Sequence, residues 1–359
     1  MQWVRQYTPH RTAGRPGTLE PVARHVSSVE PEESEESMPS PRIEVVHVGS
    51  ACRDIAPDDP RGWRLGGGVT YAALTTARLG LRTAAVVGVD AEAAGAHELD
   101  ALRDAGVDIL TLDLPEGPIF HNIESPHGRV QMSGARGLPV RPVALPDSWR
   151  SSPAWSLVPV AGEVGDDWAA VIGPKAIVGV AWQGMLRRLI PGQRVERVPP
   201  AERAIVRRAD LVGLSHLDVA ADTSLGTLTS FLHPGARLLV TQGGHGGLLV
   251  TTDRDGPVEV LRYLPTPTDR EIDPVGAGDT FLAALLAVLV RPGIAASPGR
   301  SLARALRFAA AAGSLAVEDV GLAGVPDRRS VLIRRARERV RRAVVPSLSA
   351  QVGVEDSRQ

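Results

Sequence analysis

A single lysine, Lys175, and a single cysteine, Cys52, stand in a chain of 359 residues. Each scarcity removes chemistry. One cysteine closes no internal disulfide, and it excludes zinc sites that need several thiolates. Lys175 follows Gly173-Pro174 and precedes Ala176, so there is no Gly-x-x-x-x-Gly-Lys-Ser/Thr phosphate loop. The lysine and the His-Arg-Asp loop of protein kinases are also missing, and a Schiff-base mechanism would rest on Lys175 alone. Aromatic residues make up 4% of the chain and the formal net charge is −1. Neither a stacking surface nor a basic field for nucleic acid follows from that. No apolar run reaches the ~18 residues of a membrane span. Arg5, Arg11 and Arg15 precede no apolar stretch of a secretory signal. These absences point to a cytoplasmic protein without a membrane or nucleic-acid partner.

What is present is a chain 43% hydrophobic and 23% charged, enough to bury the core of one large domain. Residues 1–41 are polar and proline-rich and include the acidic run Glu30-Pro31-Glu32-Glu33-Ser34-Glu35-Glu36. Such a segment cannot bury enough apolar surface to offset its ordering entropy, so a disordered extension is expected. The alternative reading is an acidic interaction tail. Met38 is a candidate native start. A folded domain is expected over 42–345 and a disordered tail over 346–359.

Strand and helix signals alternate from Ile43 onward. Strands are predicted at Ile43–Val48, Thr83–Val87, Val107–Leu112, Trp155–Pro159, Ala176–Val180, Asp210–Leu214 and Arg237–Thr241. Hairpins are expected at Ile119–Glu124 with Arg129–Ser133, and at Gly247–Thr252 with Val258–Tyr263. Helices are predicted at Val69–Leu79, Ala91–Asp104, Ala277–Val290, Ser301–Val317 and Arg328–Val344. Such alternation implies a mainly parallel sheet covered on both faces, with ligands at the carboxyl ends of its strands.

The most informative segment is Asp273-Pro274-Val275-Gly276-Ala277-Gly278-Asp279, which runs directly into the apolar stretch Phe281–Leu289. Small residues before a helix let backbone approach a ligand, and the first-turn amides sit at the positive end of the helix dipole. A phosphate suits that position. Asp279 would repel a phosphate unless it serves the other reactant, by accepting the proton of an attacking hydroxyl. Two other readings compete. Asp279 is also the acidic residue that a helix's first turn favours. The dinucleotide fingerprint Gly-x-Gly-x-x-Gly fails, because Phe281 stands where the third glycine belongs.

Asp273–Asp279 resembles the second signature of the ribokinase-like (PfkB) carbohydrate kinases, Asp-Thr-Thr-Gly-Ala-Gly-Asp, departing at Pro274 and Val275. The resemblance implies a three-layer α/β fold with a lid, ATP as donor and a sugar or polyol hydroxyl as acceptor. It makes Gly276, Ala277 and Gly278 the anion hole and Asp279 the catalytic base.

Other segments resemble the family in chain order over about residues 43–322. Gly66-Gly67 opens a segment closed by Leu79-Gly80, like the first signature, with Tyr71 where the family carries asparagine. Asp54 matches the early aspartate that holds substrate hydroxyls. Only eleven residues separate it from Gly66, so the lid is expected to be reduced. The resemblance therefore assigns acceptor binding to Asp54, Gly66, Gly67 and Tyr71. Thr241, Gly243 and Gly246 fall on the nucleotide-binding turn Thr-x-Gly-x-x-Gly, and adenine would lie near Ala309–Ser314. Ser215 and Asp218 occupy the Asn-x-x-Glu positions that organise magnesium, partly through water; the family also admits a monovalent cation.

The short lid, Tyr71, the Ser215/Asp218 pair and the stretch Trp182–Arg188 resemble a divergent branch that includes myo-inositol kinase. The expected activity is phosphotransfer to an alcohol, with cyclitol and nucleoside acceptors open beside sugars, in a monomer or homodimer. A non-catalytic polyol- or nucleotide-binding sensor on the same fold is the rival reading. A nicotinamide oxidoreductase would need the complete glycine fingerprint.

Overall fold

Alternation along the first strand, β1 (Val45–Ser50), separates two apolar layers: Val45 packs into one cluster, Val46 and Val48 into another. A strand buried on both faces belongs inside a sheet sandwiched by helices. The computed structural model describes residues 42–123, 130–254, 256–295, 301–336 and 343–344. The expected extension 1–41, the tail 346–359 and the turn at 124–129 lie outside the described residues.

After β1 come β2 (Cys52–Ile55), β3 (Trp63–Gly66), β4 (Thr83–Val89), β5 (Val107–Asp113), β6 (Pro118–Ile123) and β7 (Val130–Arg136). They are followed by β8 (Ala154–Leu157), β9 (Ile177–Ala181), β10 (Arg187–Arg188), β11 (Glu196–Arg197), β12 (Leu211–Ser215) and β13 (Arg237–Thr241). The last are β14 (Gly247–Asp253), β15 (Gly256–Tyr263) and β16 (Ala343–Val344).

The main sheet has ten strands in the order β16-β15-β14-β13-β12-β9-β8-β1-β4-β5. Pairing is parallel from β5 to β13 and antiparallel from β13 to β16. The chain leaves β1 toward β4 on one side and later takes up β8 on the other, so strand order reverses at the β1–β8 boundary. Crevices form at such switch points, outside the carboxyl ends of the strands.

The helix Ala277–Val290 is buried without a break from Thr280 to Val288 and packs with Gly68–Arg78 and Leu302–Ala316 on one face. The other face is filled by Trp155, Trp168, Trp182 and the apolar residues around Ala204–Arg208 and Leu225–Thr229. No helix among the described residues is long and apolar enough to cross a membrane.

A second sheet, β3-β2-β6-β7, forms the lid. Its first hairpin is short, as the spacing of Asp54 and Gly66 implies, and β6–β7 complete it. The β10–β11 excursion runs alongside: the Ser133 amide donates to Gln193 O at 2.8 Å and the Val195 amide to Gln131 O at 2.9 Å. Arg61 holds the lid to the helix His97–Asp104 through Glu98 at 2.6 Å, and its guanidinium lies 4.5 Å from the Trp63 ring centroid.

Three sequence expectations change. The single helix at Ala91–Asp104 is two, Ala91–Ala94 and His97–Asp104, because Gly95, a poor helix former, is followed by Ala96 in an extended conformation. The helix predicted over Arg328–Val344 is described as Arg328–Ala336, and Ala343–Val344 is instead an edge strand on β15. The β10–β11 hairpin was not anticipated; two-residue strands carry too little alternation to read.

Candidate active site

One cleft of about 910 Å³ collects the segments that leave the carboxyl ends of the parallel strands. Asp54 and Gly67–Gly68 come after β1, Val160 after β8, Gln183 and Arg187 after β9, Ser215–Asp218 after β12 and Thr241–His245 at the end of β13. Pro274–Asp279 and Ala310–Ser314 close the far wall. The switch point of the sheet thus gathers segments more than 200 residues apart in sequence.

Gly276 precedes the helix in the left-handed region, with φ 75°, and no side chain caps that helix. A Cβ on Gly276 would lie 2.2 Å from the Tyr71 ring, so the turn rests directly on that aromatic face. Gly278 meets nothing within 4 Å and opens to the cleft. The Ala277 amide donates to Pro274 O at 3.4 Å, while the Gly278 amide lies in the cleft at a helix N-terminus, a position suited to an anion. Asp273 fixes the turn from outside: its carboxylate accepts from the Val275 amide and the Gly321 amide, both at 3.0 Å.

Asp279 lies half-buried beside these amides. Desolvation pushes its carboxyl up to about 6; the Arg187 guanidinium opposes that shift and Asp218 adds to it. A Cβ on Gly68 would stand 2.8 Å from Asp279 Oδ1, and one on Gly66 would stand 2.2 Å from Asp54 Oδ2. The glycine run therefore makes room for two carboxylates, one on each side. Gly67, with φ 103°, turns the chain against Ser50 O. Gly66 itself does not line the cleft, whereas Gly67 and Gly68 do.

Tyr71, expected among the acceptor ligands, is 2% exposed. Its ring packs under the 276 turn, and burial, with Asp54 and Asp273 nearby, holds its hydroxyl well above the usual phenol range. Its position suits a structural support. Thr241 and Gly243 line the cleft, but Gly246 does not. A Cβ at Gly246 would meet Tyr263 O at 2.2 Å, a backbone crossing that explains this glycine without a ligand.

Ser215 and Asp218, expected as cation ligands, form a helix-capping box. The Ser215 amide donates to Asp218 Oδ2 at 2.7 Å, and Ser215 Oγ accepts from the Leu217 amide at 3.2 Å. Gln183 Nε2 donates to Asp218 Oδ1 at 2.8 Å, with the Arg187 guanidinium 3.9 Å away. No group of three or more histidine, cysteine or acidic side chains among the described residues is placed to hold a metal. This donor set, already hydrogen-bonded and next to a guanidinium, fits a magnesium ion poorly.

Gly68, Gln183 and Arg187 were not singled out from sequence. Gly68 was the third member of a visible glycine triplet. Gln183 and Arg187 lay in the Trp182–Arg188 stretch, whose resemblance to a branch carried no role for either. Behind the cleft, Glu163 is 4% exposed and accepts from the amides of Ser50, Val160 and Ala161, tying the β1 and β8 ends together.

Residues 210–328 match the family of pfkB family carbohydrate kinases. A ribokinase of Arabidopsis thaliana is 45% identical over 67 residues, which is 18% of this chain and 16% of that protein's length. Among solved structures, a pyrophosphate-dependent kinase of the ribokinase family, complexed with a pyrophosphate analog and myo-inositol, superposes with a TM-score of 0.60 at 21% identity. The superposition covers 80% of this chain and 98% of that one. Arabidopsis thaliana ribokinase with ribose and ATP gives 0.60 at 21% identity, covering 82% and 99%. The nucleoside kinase of Methanocaldococcus jannaschii gives 0.60 at 15%, covering 83% and 99%. The chain thus carries the ribokinase-like fold, and its residues 210–328 are similar to the pfkB family of carbohydrate kinases.

Proposed function

We propose that the protein transfers the γ-phosphoryl group of ATP to a hydroxyl of a small sugar or polyol, with Asp279 as the general base. The observation that carries this reading is one helix N-terminus offering both halves of the chemistry. The Gly278 amide, at a helix start with no side-chain cap, lies in the cleft beside a carboxylate pushed up to about 6. Such a carboxylate is largely ionised at neutral pH yet basic enough to take a proton in the transition state.

In this reading the acceptor hydroxyl, oriented by Asp54 and the Gly67–Gly68 backbone, gives its proton to Asp279 as its oxygen bonds to the γ-phosphorus. The bond from that phosphorus to the bridging oxygen breaks, and ADP leaves with the electron pair. The 276–278 backbone stabilises charge on the phosphoryl oxygens. The nucleotide lies along Thr241–Gly243 and toward Ala310–Ser314. No step is routed through magnesium. Monovalent cation dependence, and the choice among sugar, cyclitol and nucleoside acceptors, belong to the same proposal.

The test is product formation. The purified chain is incubated with ATP or pyrophosphate and a panel of sugars, cyclitols and nucleosides, and products are weighed by mass spectrometry. A phosphorylated acceptor, lost in Asp279→Asn, supports the proposal. Tight nucleotide or polyol binding with no phosphorylated product across the panel overturns it in favour of a sensor.

A further inference from the structure

The β10–β11 hairpin presents three arginines to the cleft, and Arg187 faces Asp218 at 3.9 Å. Arg187 and Arg197 are directly opposed across the two strands, and Arg188 and Glu196 form the neighbouring opposed pair. Side chains alternate faces along a strand. On one face Arg188 and Glu196 neutralise each other at 2.6 Å. On the other, two like charges oppose one another, an arrangement that costs stability in a ribbon.

Arg187 and Arg197 line the cleft, and so does Arg194 from the turn between them. Among the described residues, the side chains of Arg194 and Arg197 have no hydrogen-bonding or ion-pair partner, although most arginines around the lid do. Arg187, largely buried, has only Asp218 at 3.9 Å as an ion-pair partner.

The hairpin stands on the lid side, next to the Asn122–Gln131 pair of β6 and β7. The same lid sheet carries Asp54 on β2, which pairs with β6. Two guanidiniums without ion-pair partners in the cleft that also holds Asp54 suit a ligand with hydroxyls at one end and an anionic group at the other.

We propose that the acceptor is itself anionic, a polyol or sugar bearing a phosphomonoester or carboxylate, with Arg194 and Arg197 seating that group while Asp54 holds the hydroxyl end. Arg187, beside Asp218 at 3.9 Å, is the hairpin arginine that acts on Asp279. The inference rests on the kinase reading of the same cleft and names the acceptor class for it.

The experiment compares neutral polyols and sugars with their monophosphate and carboxylate derivatives, using wild-type protein and an Arg194→Ala/Arg197→Ala double variant. Both side chains are exposed, so the variant is expected to fold as wild type, checked by its melting temperature. The expected result is preferred turnover of an anionic acceptor. In the variant kcat/KM for it should fall roughly 10- to 100-fold, as expected for losing one or two charge-assisted hydrogen bonds. The KM for the phosphoryl donor should stay unchanged, and Arg194→Lys/Arg197→Lys should recover part of the loss. The phosphate and carboxylate arms identify the anion.

Turnover of neutral acceptors at least as fast as anionic ones overturns this inference and leaves the kinase reading standing. A rise confined to the donor KM also overturns it, by assigning the arginines to the donor. Absence of any phosphorylated product overturns both readings together.

Discussion

Asp279 is the residue whose ionisation decides most. Its folded pKa of about 6 lies above the ordinary value of 3.8, chiefly because the cleft desolvates it. Two expectations follow. If Asp279 is the base, kcat/KM rises with pH through about 6 and levels above it, and Asp279→Asn lowers kcat by about 10²- to 10⁴-fold. The stability sign is opposite to that of a salt-bridged acid. The folded state holds the proton more tightly, so stability is fully present below 3.8 and declines as pH rises through 6. At pH 7 Asp279→Asn should therefore be more stable than wild type, by on the order of 1–2 kcal/mol in urea unfolding. An inactive variant that is less stable would assign the carboxylate to the fold and not to chemistry.

At the scale of elements, the 276–278 turn separates two glycines that look alike in sequence. Gly276→Ala forces a Cβ into the Tyr71 ring at φ 75° and should cost about 2–4 kcal/mol. Gly278→Ala meets nothing within 4 Å and should leave the melting temperature nearly unchanged, while narrowing the anion seat and lowering kcat. Melting curves and initial rates on the two variants test the distinction. A Tyr71→Ala/Gly276→Ala pair should cost less than the sum of its parts, because removing the ring relieves the clash.

The lid allows a second test. Glu98 takes the Arg61 guanidinium at 2.6 Å and the Leu65 amide at 3.1 Å. Glu98→Ala should loosen the β2–β3 hairpin and raise the acceptor KM several-fold, with the donor KM unchanged. Equal rises in both constants would place the lid's effect elsewhere.

At the scale of the whole molecule, charged groups tie together segments far apart in the chain. Glu318 accepts from Arg334, the Thr268 hydroxyl and the Asp269 amide, and Arg334 in turn donates to Pro267 O at 3.0 Å. Arg334 holds the Glu318 carboxyl down to about 2, with Thr268 and Asp269 helping against desolvation. That stabilisation is present above 4.5 and is lost as pH falls toward 2. Glu318→Gln should cost roughly 1–2 kcal/mol at pH 7, discounted for partial exposure, and should flatten the acid limb of the unfolding curve.

What was legible in the sequence follows from range. The strand–helix alternation, the sheet class and the segment 273–279 could be read because each is local and strongly patterned. The Asp54 and Asp279 carboxylates lie in one cleft, as the motif order implied. The capping of Ser215 by Asp218 could also have been seen, since Ser-x-x-Asp is itself a capping pattern. Tyr71's packing under Gly276, the hairpin arginines and the Glu318–Arg334 lock were not legible. Each depends on contacts between segments whose separation in the chain carries no periodic signal.

Tyr71 has a further implication for redesign. Tyr71 both lines the cleft and supports the turn at Gly276, so Tyr71→Asn is not an isolated change to the cleft wall. Tyr71→Asn would empty the shelf beneath residue 276 and let the turn sag, disturbing donor and acceptor geometry together. A pocket transplanted from a ribose enzyme would need to bring its own support for that turn. Positions 71 and 276 thus form one inherited unit, and substitution of either alone is expected to be a dead end.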